Sequence, residues 1–577
     1  MYYNYKVARP PEGKGVTLNT IKSTTYVCYT YGREYKPEKK YNIPKRTTIG
    51  KVCEDDPGSM YPNQNYIKLY PGAVLPEAEA ETTRSGCLHV GASMVIRKII
   101  NEYNLEAAMR KIIGKDSGLF LDLAAYSILA ENNAGQYYPE YAYNHPLFTD
   151  NMRIYSDSKV SSFINSLTAD QSIDFLKEWN KDRAKREKIY ISYDSTNKNC
   201  QAGDVEIAEL GNAKDDKSKP VINYAVAYDR DNREPLFYED YPGSINDVSQ
   251  LRQVVDKAKG YGYKNIGFIL DRGYFSEQNI RHMERNGYDF IMMVKGMKDL
   301  VKLIVSSQIG SFEKKRSNSI RKYKLSGTTV MTKLFPKDEK NHYFHIYYSP
   351  YKAAAEREAL ENRIDQQKKV LEKYRNKEVK AAFLAGFEKY FELEYYHKGK
   401  EDEKFLYARE KTDVIDEEIN LCGYFVLVTS AKMYADEAIE LYKSRDGSEK
   451  LFRGDKSYLG NKSFRTQTGE STEAKIFIEF VALIIRNRIY TLIKDKADEN
   501  ETKDNYMTVP AALKELEKIE MIRLSDNIYR LDHAVTKTQK NILKAFGIDE
   551  GYVRSYAEEL GRKLSEASGS QISKETA

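Results

Sequence analysis

Acidic residues near the ends of two apolar segments are the first candidates for chemistry in this chain. Asp194 lies near the end of the alternating segment KIYISYDST, and Asp271 follows the continuous apolar segment in NIGFILDRGYF. A buried strand that ends in aspartate is common, so Asp271 alone carries little information. Two carboxylates at neighbouring strand ends, however, could hold divalent ions, which prefer oxygen ligands.

A third carboxylate is needed if these acids are to hold two metal ions for phosphoryl transfer. Without metals such acids repel each other, by about 4 kcal/mol for a pair 4 Å apart at an effective dielectric of 20. We interpret residues 423–430, GYFVLVTS, as the fifth strand of the sheet, and the segment ADEAIELYKSRDGSEKLFRGDKS as the helix that follows it. That helix carries Glu449, which we predict to be the third acid.

The same predicted helix carries a phenol and two cations beside this acid. At about 100° per residue, Tyr442, Arg445, Glu449 and Lys456 fall within a stripe about 60° wide. Such a face could offer a metal ligand and bind a DNA phosphate. A solvated helix face with an ordinary Arg445–Glu449 pair would have the same pattern, and a break near Gly454 would displace Lys456.

The elements around the first two acids indicate a fold. Residues 189–296 are predicted to form three strands, a helix and a further strand, in that order. This order is the front half of a ribonuclease H-like fold, in which the first and fourth strands lie side by side. Asp194 and Asp271 would then meet at a crevice beside the strand ends, where open α/β sheets place their sites.

The whole chain is therefore predicted to be an α/β protein with a ribonuclease H-like catalytic core, a mixed insertion domain, and helical N-terminal and C-terminal regions. The predicted divisions are a basic strand and loop region (1–80), a helical DNA-binding region (81–188), the core (189–296 and 421–500), the insertion (297–420) and a C-terminal helical region (501–577). The long helix near 351–380 has partial heptad spacing, interrupted by Gln367. We favour a surface helical hairpin there over a dimerising coiled coil.

Composition excludes several classes of protein. The chain is 41% hydrophobic and 31% charged, with a net charge of +6, which is an ordinary composition for a globular protein. It has no apolar run of about 18 residues and no export signal, so we expect a cytoplasmic protein without a membrane partner. Five scattered cysteines without a C-x-x-C pair argue against structural zinc and disulfides.

A basic segment near the N-terminus is a candidate DNA-binding surface. Tyrosines alternate with cations in YTYGREYKPEKKYNIPKRTTIGK, a combination that suits phosphate contact and stacking. We predict DNA contacts for Lys39, Lys40, Lys45 and Arg46. The second basic cluster, at 314–324, is a candidate for the same reason. A solvated basic loop would have the same composition as either cluster.

The spacing of the four helix residues resembles that of a known family. Tyr442, Arg445, Glu449 and Lys456 follow the pattern Y-(2)-R-(3)-E-(6)-K, which resembles the signature of a large class of bacterial insertion-sequence DDE transposases. The segments YDST and DRGYFS resemble the other two acidic motifs of that class. The long gap between the second and third acids also matches, since this class carries an insertion there.

The resemblance implies roles for these residues. Asp194, Asp271 and Glu449 would bind two Mg²⁺ or Mn²⁺ ions, and Tyr442, Arg445 and Lys456 would hold phosphates of the transposon end. Arg272 would be a further DNA contact, with a structural ion pair as the alternative.

The resemblance also implies a reaction. The enzyme would cut double-stranded DNA at the element's ends and join the freed 3′-OH to target DNA, as a homodimer and without a small-molecule substrate. Two alternatives remain open at this stage: a nuclease of the same fold that does not transpose, and a catalytically inert DNA-binding relic. A purely structural coiled-coil protein fits less well, because the helix near Leu360 is short and its seam interrupted.

Overall fold

A computed structural model describes residues 2, 6–21, 24–36, 40–53, 55–73, 84–200, 204–211, 218–460, 462–501, 507–523 and 528–575. The chain divides into two compact units, Met1–Ser85 and Gly86–Ala577. Within the described residues, none of the helices combines the length and the apolar character needed to cross a membrane.

The first unit is a five-stranded antiparallel sheet with one short helix. The strand order is β1-β5-β4-β3-β2, and the small core includes Val27, Ile49 and Met60. The elements are β1 (Val7–Ala8), β2 (Val16–Ile21), β3 (Thr24–Lys36), β4 (Tyr41–Val52), β5 (Ser59–Pro62) and α1 (Gln64–Leu69).

The second unit begins with a short strand and six helices. Apolar residues at three- and four-residue intervals predict this helical region, and the helix at 117–129 is buried almost throughout because apolar residues cover all its faces. The elements are β6 (Cys87–His89), α2 (Gly91–Glu102), α3 (Leu105–Ile113), α4 (Ser117–Leu129), α5 (Tyr138–Asn144), α6 (Asp157–Ser166) and α7 (Ala169–Asn180).

A mixed sheet forms the centre of the second unit. Residues 189–200 form a strand that pairs antiparallel with 221–229 and parallel with 266–270, and the strand 266–270 pairs parallel with 289–293. The elements here are β7 (Ile189–Cys200), β8 (Val221–Asp229), β9 (Glu234–Pro242), α8 (Asp247–Gly260), β10 (Ile266–Leu270), α9 (Glu277–Arg285) and β11 (Asp289–Met293). Both faces of β10 are buried, as its unbroken apolar sequence predicts.

The sheet continues beyond β11 with antiparallel strands. These elements are α10 (Lys298–Ser306), β12 (Ser319–Ile320), β13 (Leu325–Thr332), β14 (His342–Tyr348) and β17 (Tyr424–Thr429). The full order is β12-β13-β14-β17-β11-β10-β7-β8-β9, and β18 (Ser463–Phe464) pairs with the end of β7. Strands from residues 297–420 thus belong to the same sheet as the acids.

Residues 423–430 contain a strand of the sheet, β17, as predicted, but its predicted position as the fifth strand is wrong. The strand that follows β10 in parallel is β11, and β17 pairs antiparallel with β11 on its far side. The short segment DFIMM was not counted as a strand, although four of its five residues are apolar.

Between β14 and β17, a helical and hairpin segment has its own small core. It consists of α11 (Pro350–Tyr374), α12 (Ala381–Leu384), β15 (Phe391–Tyr396), β16 (Lys404–Glu410) and α13 (Thr412–Leu421). Leu360, Ile364 and Leu371 of α11 are buried against this segment. The apolar seam of α11 is therefore covered within the chain, which supports the helical hairpin over the coiled coil.

The elements after β17 are mostly helical: α14 (Ala435–Lys443), α15 (Asp446–Tyr458), α16 (Gly469–Glu499), α17 (Val509–Leu516), β19 (Glu520–Arg523), β20 (Tyr529–Leu531), α18 (Lys537–Ala545) and α19 (Glu550–Glu575). The long helix α16 is buried along most of its length and contacts α4, α15 and β9. It packs against α15, the helix that carries Glu449.

The single continuous helix predicted across residues 435–457 is wrong, because α14 ends at Lys443 and α15 begins at Asp446. The hydroxyl of Ser444 donates to the carbonyl of Leu441 at 2.6 Å, and that of Ser448 donates to the carbonyl of Arg445 at 2.8 Å. Such side-chain bonds compete with the helical ladder and bend helices. No break occurs at Gly454, which lies inside α15.

Candidate active site

Asp194 and Asp271 lie side by side where the parallel pairing of β7 with β10 ends: β10 stops at Leu270, whereas β7 continues past Asp194 to Cys200. In the pairing of β7 with β10, Leu270 is the partner of Tyr193, so the two aspartates are the next residues on each strand. Asp194 accepts a hydrogen bond from the backbone N–H of Ser195 at 2.9 Å, and Asp271 accepts one from the N–H of Arg272 at 2.7 Å. These bonds orient the two carboxylates.

Glu449 is brought to this place by the packing of α15 on the sheet. The hydroxyl oxygens of Ser448 and Ser192 lie 2.8 Å apart in a buried contact between α15 and β7. Gly447 allows the close approach, because a Cβ there would lie 3.2 Å from the ring of Tyr228. The first turn of α15 is therefore held against the strand that carries Asp194.

Arg445, which lies between the end of α14 and the start of α15, contacts all three acids. Its Nη1 lies 3.9 Å from an oxygen of Asp194 and 3.9 Å from one of Asp271, and its Nη2 lies 2.8 Å from Glu449. The acid side chains are 19%, 42% and 50% exposed in the same order. One partly buried guanidinium thus offsets part of the repulsion among three carboxylates.

Electrostatics keep Arg445 charged. Burial lowers the pKa of its guanidinium, but Asp271, the Tyr442 phenol, Asp194 and Glu449 together outweigh burial, so the net pKa is raised. Burial also raises the pKa of Tyr442, whose ring lies 5.8 Å from the Arg445 guanidinium carbon. The phenol therefore stays protonated and can donate a hydrogen bond.

A fully buried charge cluster lies behind the acids. Lys198 of β7 contacts Asp455 of α15 at 2.9 Å and Glu479 of α16 at 3.1 Å. Burial lowers the pKa of Lys198, but the two carboxylates raise it by more than burial lowers it, so the net pKa is raised. These contacts join the strand of Asp194 and the helix of Glu449 to the central helix α16.

A cleft of about 530 Å³ opens beside Glu449 and contains both positive and aromatic side chains. Its lining residues are Arg230, Lys322, Tyr323, Glu440, Tyr442, Lys443, Ser444, Arg445, Asp446 and Glu449. Lys322 pairs with Glu440 at 2.6 Å, and Arg230 pairs with Asp231 at 2.7 Å. Its lining thus holds four cations and three acids, and Glu449 is the one of the three site acids that lines it.

Sequence reasoning did not find Arg230, Lys322, Tyr323 and Lys443 as site residues. Arg230 lies in the turn between β8 and β9, and Lys322 and Tyr323 lie between β12 and β13. The only signal for Lys322 and Tyr323 was their position in the basic cluster at 314–324. Their approach to α14 depends on strand pairing, which residue spacing does not reveal.

The remaining predicted site residues are placed differently. Arg272 is exposed in the turn after β10, and Lys456 is partly exposed in the last turn of α15. Lys40, Lys45 and Arg46 belong to the first unit and are exposed there, with Lys45 paired to Glu34 at 3.2 Å. Lys39 lies outside the described residues.

Oxygen donors dominate the site, which is the chemistry that Mg²⁺ and Mn²⁺ prefer. In this arrangement, no three His, Cys, Asp or Glu side chains within the described residues are close enough to hold one ion. The Arg445 guanidinium contacts all three acids instead. The donor set fits divalent cations, provided that this guanidinium moves away from the acids.

Comparison with known proteins gives one family. Residues 191–485, slightly more than half of the chain, match the family model described as "Transposase DDE domain". This segment includes Asp194, Asp271 and Glu449. Among curated proteins, none matches the chain.

One solved structure that is similar is a piggyBac transposase synaptic complex with hairpin DNA, determined by cryo-electron microscopy. It has 9% sequence identity and a TM-score of 0.32, with 82% of each chain covered. A similarity of this size carries no conclusion about the residues of the site.

Proposed function

Because the chain belongs to the DDE transposase family, we propose that it cuts DNA at the ends of an insertion sequence and joins the released 3′-OH to target DNA, as a cut-and-paste enzyme. Asp194, Asp271 and Glu449 are the proposed catalytic residues. The observation that carries the proposal is the convergence of these three carboxylates, from β7, β10 and α15, on Arg445.

A ribonuclease H-like core is part of the proposal. Strand β7 lies between β8 and β10, β9 lies outside β8, and β11 lies outside β10. The first three strands are antiparallel, and β7, β10 and β11 run parallel. This arrangement of five strands, with Asp194 within the first and Asp271 directly after the fourth, supports that fold class. The division of the chain into the five predicted domains stays a prediction.

We propose that the three acids hold two Mg²⁺ or Mn²⁺ ions. Ions held there would supply the positive charge that stabilises the oxygens entering and leaving phosphorus. The chain's own residues would bind and orient the DNA. No side chain is required to form a covalent bond to DNA, since positioning and charge account for phosphoryl transfer.

We assign the positioning of the DNA backbone to the cations and the phenol beside the three acids. Arg445 is charged and Tyr442 retains its hydroxyl proton, so both can donate to phosphate oxygens. Lys456 lies seven residues beyond Glu449 on α15, about 10 Å farther along the helix. The two ends of α15 would therefore contact phosphates at separate points along a strand, with Arg272 as a further contact.

The cleft next to Glu449 extends this surface. Arg230, Lys322, Tyr323 and Lys443 add cations and an aromatic ring to the residues predicted from the sequence. Cations interleaved with aromatic rings bind single strands through phosphates and base stacking. We assign the cleft to the DNA strand next to the cleavage point, and we propose that two copies of the protein hold two transposon ends.

The experiment uses purified full-length protein and a labelled duplex that carries an inverted repeat from the flank of the gene, with Mg²⁺, Mn²⁺ or EDTA. Wild type is compared with Glu449→Gln and with Glu470→Gln, a matched change at an exposed acid in the first turn of α16. The proposal predicts metal-dependent cleavage at the repeat boundary, lost only in Glu449→Gln, with DNA binding retained.

Other outcomes separate the alternatives. Binding without cleavage under every metal condition would indicate a DNA-binding relic. Cleavage without any joining to a second duplex would indicate a nuclease that does not transpose. Unchanged cleavage in Glu449→Gln would mean that the third acid is misassigned.

A further inference from the structure

The hairpin of β3 and β4 in the first unit extends past the sheet to which it belongs. Residues 32–36 of β3 pair with residues 41–45 of β4, whereas β2 pairs only as far as Tyr29 and β5 only with Gly50–Val52. At about 3.4 Å per residue, this two-stranded part is roughly 15 Å long. Within the described residues it is a ribbon with two exposed sides.

One side of the ribbon is the side on which α1 packs. Asn65 of α1 donates a hydrogen bond to the hydroxyl of Thr47 at 2.9 Å. Side chains alternate along a strand, so Lys45 lies on the same side as Thr47. Glu34 also lies there, because it forms an ion pair with Lys45 at 3.2 Å. Lys36, the partner of Tyr41, lies there too, so Lys36, Lys45 and Glu34 give the helix side a net charge of +1.

The opposite side, which we name the open face, carries Arg46, Asn42, Arg33 and Tyr35. Along β4, Arg46 and Asn42 are an odd number of residues from Lys45, so they point to the side opposite Lys45. Arg33 is the partner of Pro44 and Tyr35 is the partner of Asn42, so both point the same way as their partners. All four are exposed, and these four include no acid. The open face therefore presents two guanidinium groups, an amide and a phenol.

We propose that the open face binds double-stranded DNA by entering the major groove. B-DNA's major groove is about 12 Å wide and about 8.5 Å deep, and it admits a two-stranded ribbon. Arginine binds phosphate or guanine in a bidentate manner and asparagine can bind adenine, so Arg33, Arg46 and Asn42 are suited to this groove. The inference rests on the proposed function only for the class of partner, DNA.

Charge complementarity decides between the two sides of the hairpin. Insertion with the helix side inwards would bring Glu34 towards the phosphates, which is unfavourable. Insertion with the open face inwards brings two cations and no acid from the ribbon. Arg46, which was predicted from the sequence, is thereby joined by Arg33 and Tyr35, which were not.

The test measures binding of the full-length protein to a fluorescent random-sequence DNA duplex of about 30 base pairs, by anisotropy over a range of KCl concentrations. Arg33→Ala/Arg46→Ala should weaken binding roughly 10- to 100-fold near 100 mM KCl. It should also make the slope of log K against log [KCl] shallower by about 2. The control Lys36→Ala/Lys68→Ala removes the same charge from exposed positions off the open face and should stay within about threefold of wild type.

A second probe tests entry into the groove. An RNA duplex of the same sequence has a deep, narrow major groove that side chains cannot read, so the defect of Arg33→Ala/Arg46→Ala should be confined to DNA. Arg33→Lys/Arg46→Lys keeps the charge and should recover part of the DNA affinity. Unchanged circular dichroism of each variant would confirm that folding is intact.

Two results would overturn the proposal: DNA binding by Arg33→Ala/Arg46→Ala equal to that of the control, or an equal defect on DNA and RNA duplexes. Neither depends on cleavage. A protein that binds DNA through the open face but cuts none under any metal condition would refute the proposed transposase activity and leave this inference standing.

Discussion

Lys198 and Asp455 form a buried ion pair in which Nζ and Oδ2 lie 2.9 Å apart. Lys198 follows Asp194 by four residues on β7, and Asp455 follows Glu449 by six residues on α15. The pair therefore joins the two elements that carry the first and third acids, just behind the point where those acids face solvent. Glu479 of α16 contacts the same lysine, so the cluster joins β7, α15 and α16.

Lys198→Met should destabilise the protein strongly. It would leave Asp455 and Glu479 buried without this cation, and breaking a buried pair costs about 3–5 kcal/mol. Urea unfolding followed by circular dichroism measures the free energy of unfolding. Lys188→Met, which removes a partly exposed pair with Asp289, should cost about 1 kcal/mol or less. Equal, small losses in both variants would contradict the supporting role of Lys198.

Arg445→Ala should strengthen metal binding while it weakens cleavage. The guanidinium contacts the three acids that are proposed to hold the ions, so its removal leaves their negative charge uncompensated. We expect Mn²⁺ affinity, measured by isothermal titration calorimetry, to rise roughly tenfold, which is about 1.4 kcal/mol. Lys450→Ala removes a cation of α15 that pairs with Asp446 instead, and it should leave the affinity unchanged. A weaker Mn²⁺ affinity in Arg445→Ala would show that the guanidinium does not compete with the ions.

Arg230→Ala/Lys322→Ala should weaken DNA binding at the cleft. Both cations line it, but each also has an acidic partner, so we expect a loss of roughly 3- to 10-fold and a shallower salt dependence. Anisotropy with a single-stranded DNA probe measures the change. The control Lys302→Ala/Lys368→Ala removes two ion-paired lysines outside the cleft. Equal affinities of the two double variants would exclude the cleft as a DNA-binding surface.

His345 should make the fold sensitive to acid. It is buried in β14, between the hydroxyls of Thr329 and Thr429, and burial lowers its pKa to about 4. The unfolded chain has a histidine pKa of about 6.5 and so binds the proton first as the pH falls. Stability contributed by neutral His345 is therefore present above about pH 6.5 and is lost as the pH falls towards 4.

The matched variant His345→Gln removes this titration. Between pH 7 and pH 5, wild type should lose about 2 kcal/mol more of its free energy of unfolding than the variant does, at about 1.4 kcal/mol per pH unit below 6.5. Urea unfolding at the two pH values provides the comparison. Parallel losses in wild type and variant would mean that His345 does not titrate in this range.

Local patterns predicted the elements that carry the acids, because those elements have strong signals. The apolar run of β10 and the alternation of β7 are both visible in the sequence. The spacing of Tyr442, Arg445, Glu449 and Lys456 also singled out the segment that carries Glu449, although the helix predicted there is divided into α14 and α15. These features are local, so periodicity and spacing suffice to find them.

The geometry of the site could not be predicted in the same way. The break between α14 and α15 lies where the Ser444 hydroxyl bonds the carbonyl of Leu441, and α15 is placed by the contact of Ser448 with Ser192, 256 residues away in sequence. The position of β17 beyond β11 depends on strand pairing. The approach of Lys322 to α14 follows from the same long-range order. Residue spacing contains none of these relationships.

The most direct test of the central claim is whether Asp194, Asp271 and Glu449 act as one unit. Single-turnover cleavage of a duplex that carries the transposon end would be measured for Asp194→Asn, Asp271→Asn, Glu449→Gln and the triple variant. Residues that act together show strongly non-additive losses, so each single variant should lose nearly as much rate as the triple, within about tenfold. Losses that multiply across the three positions, or any single variant that cuts at the wild-type rate, would contradict a shared catalytic site.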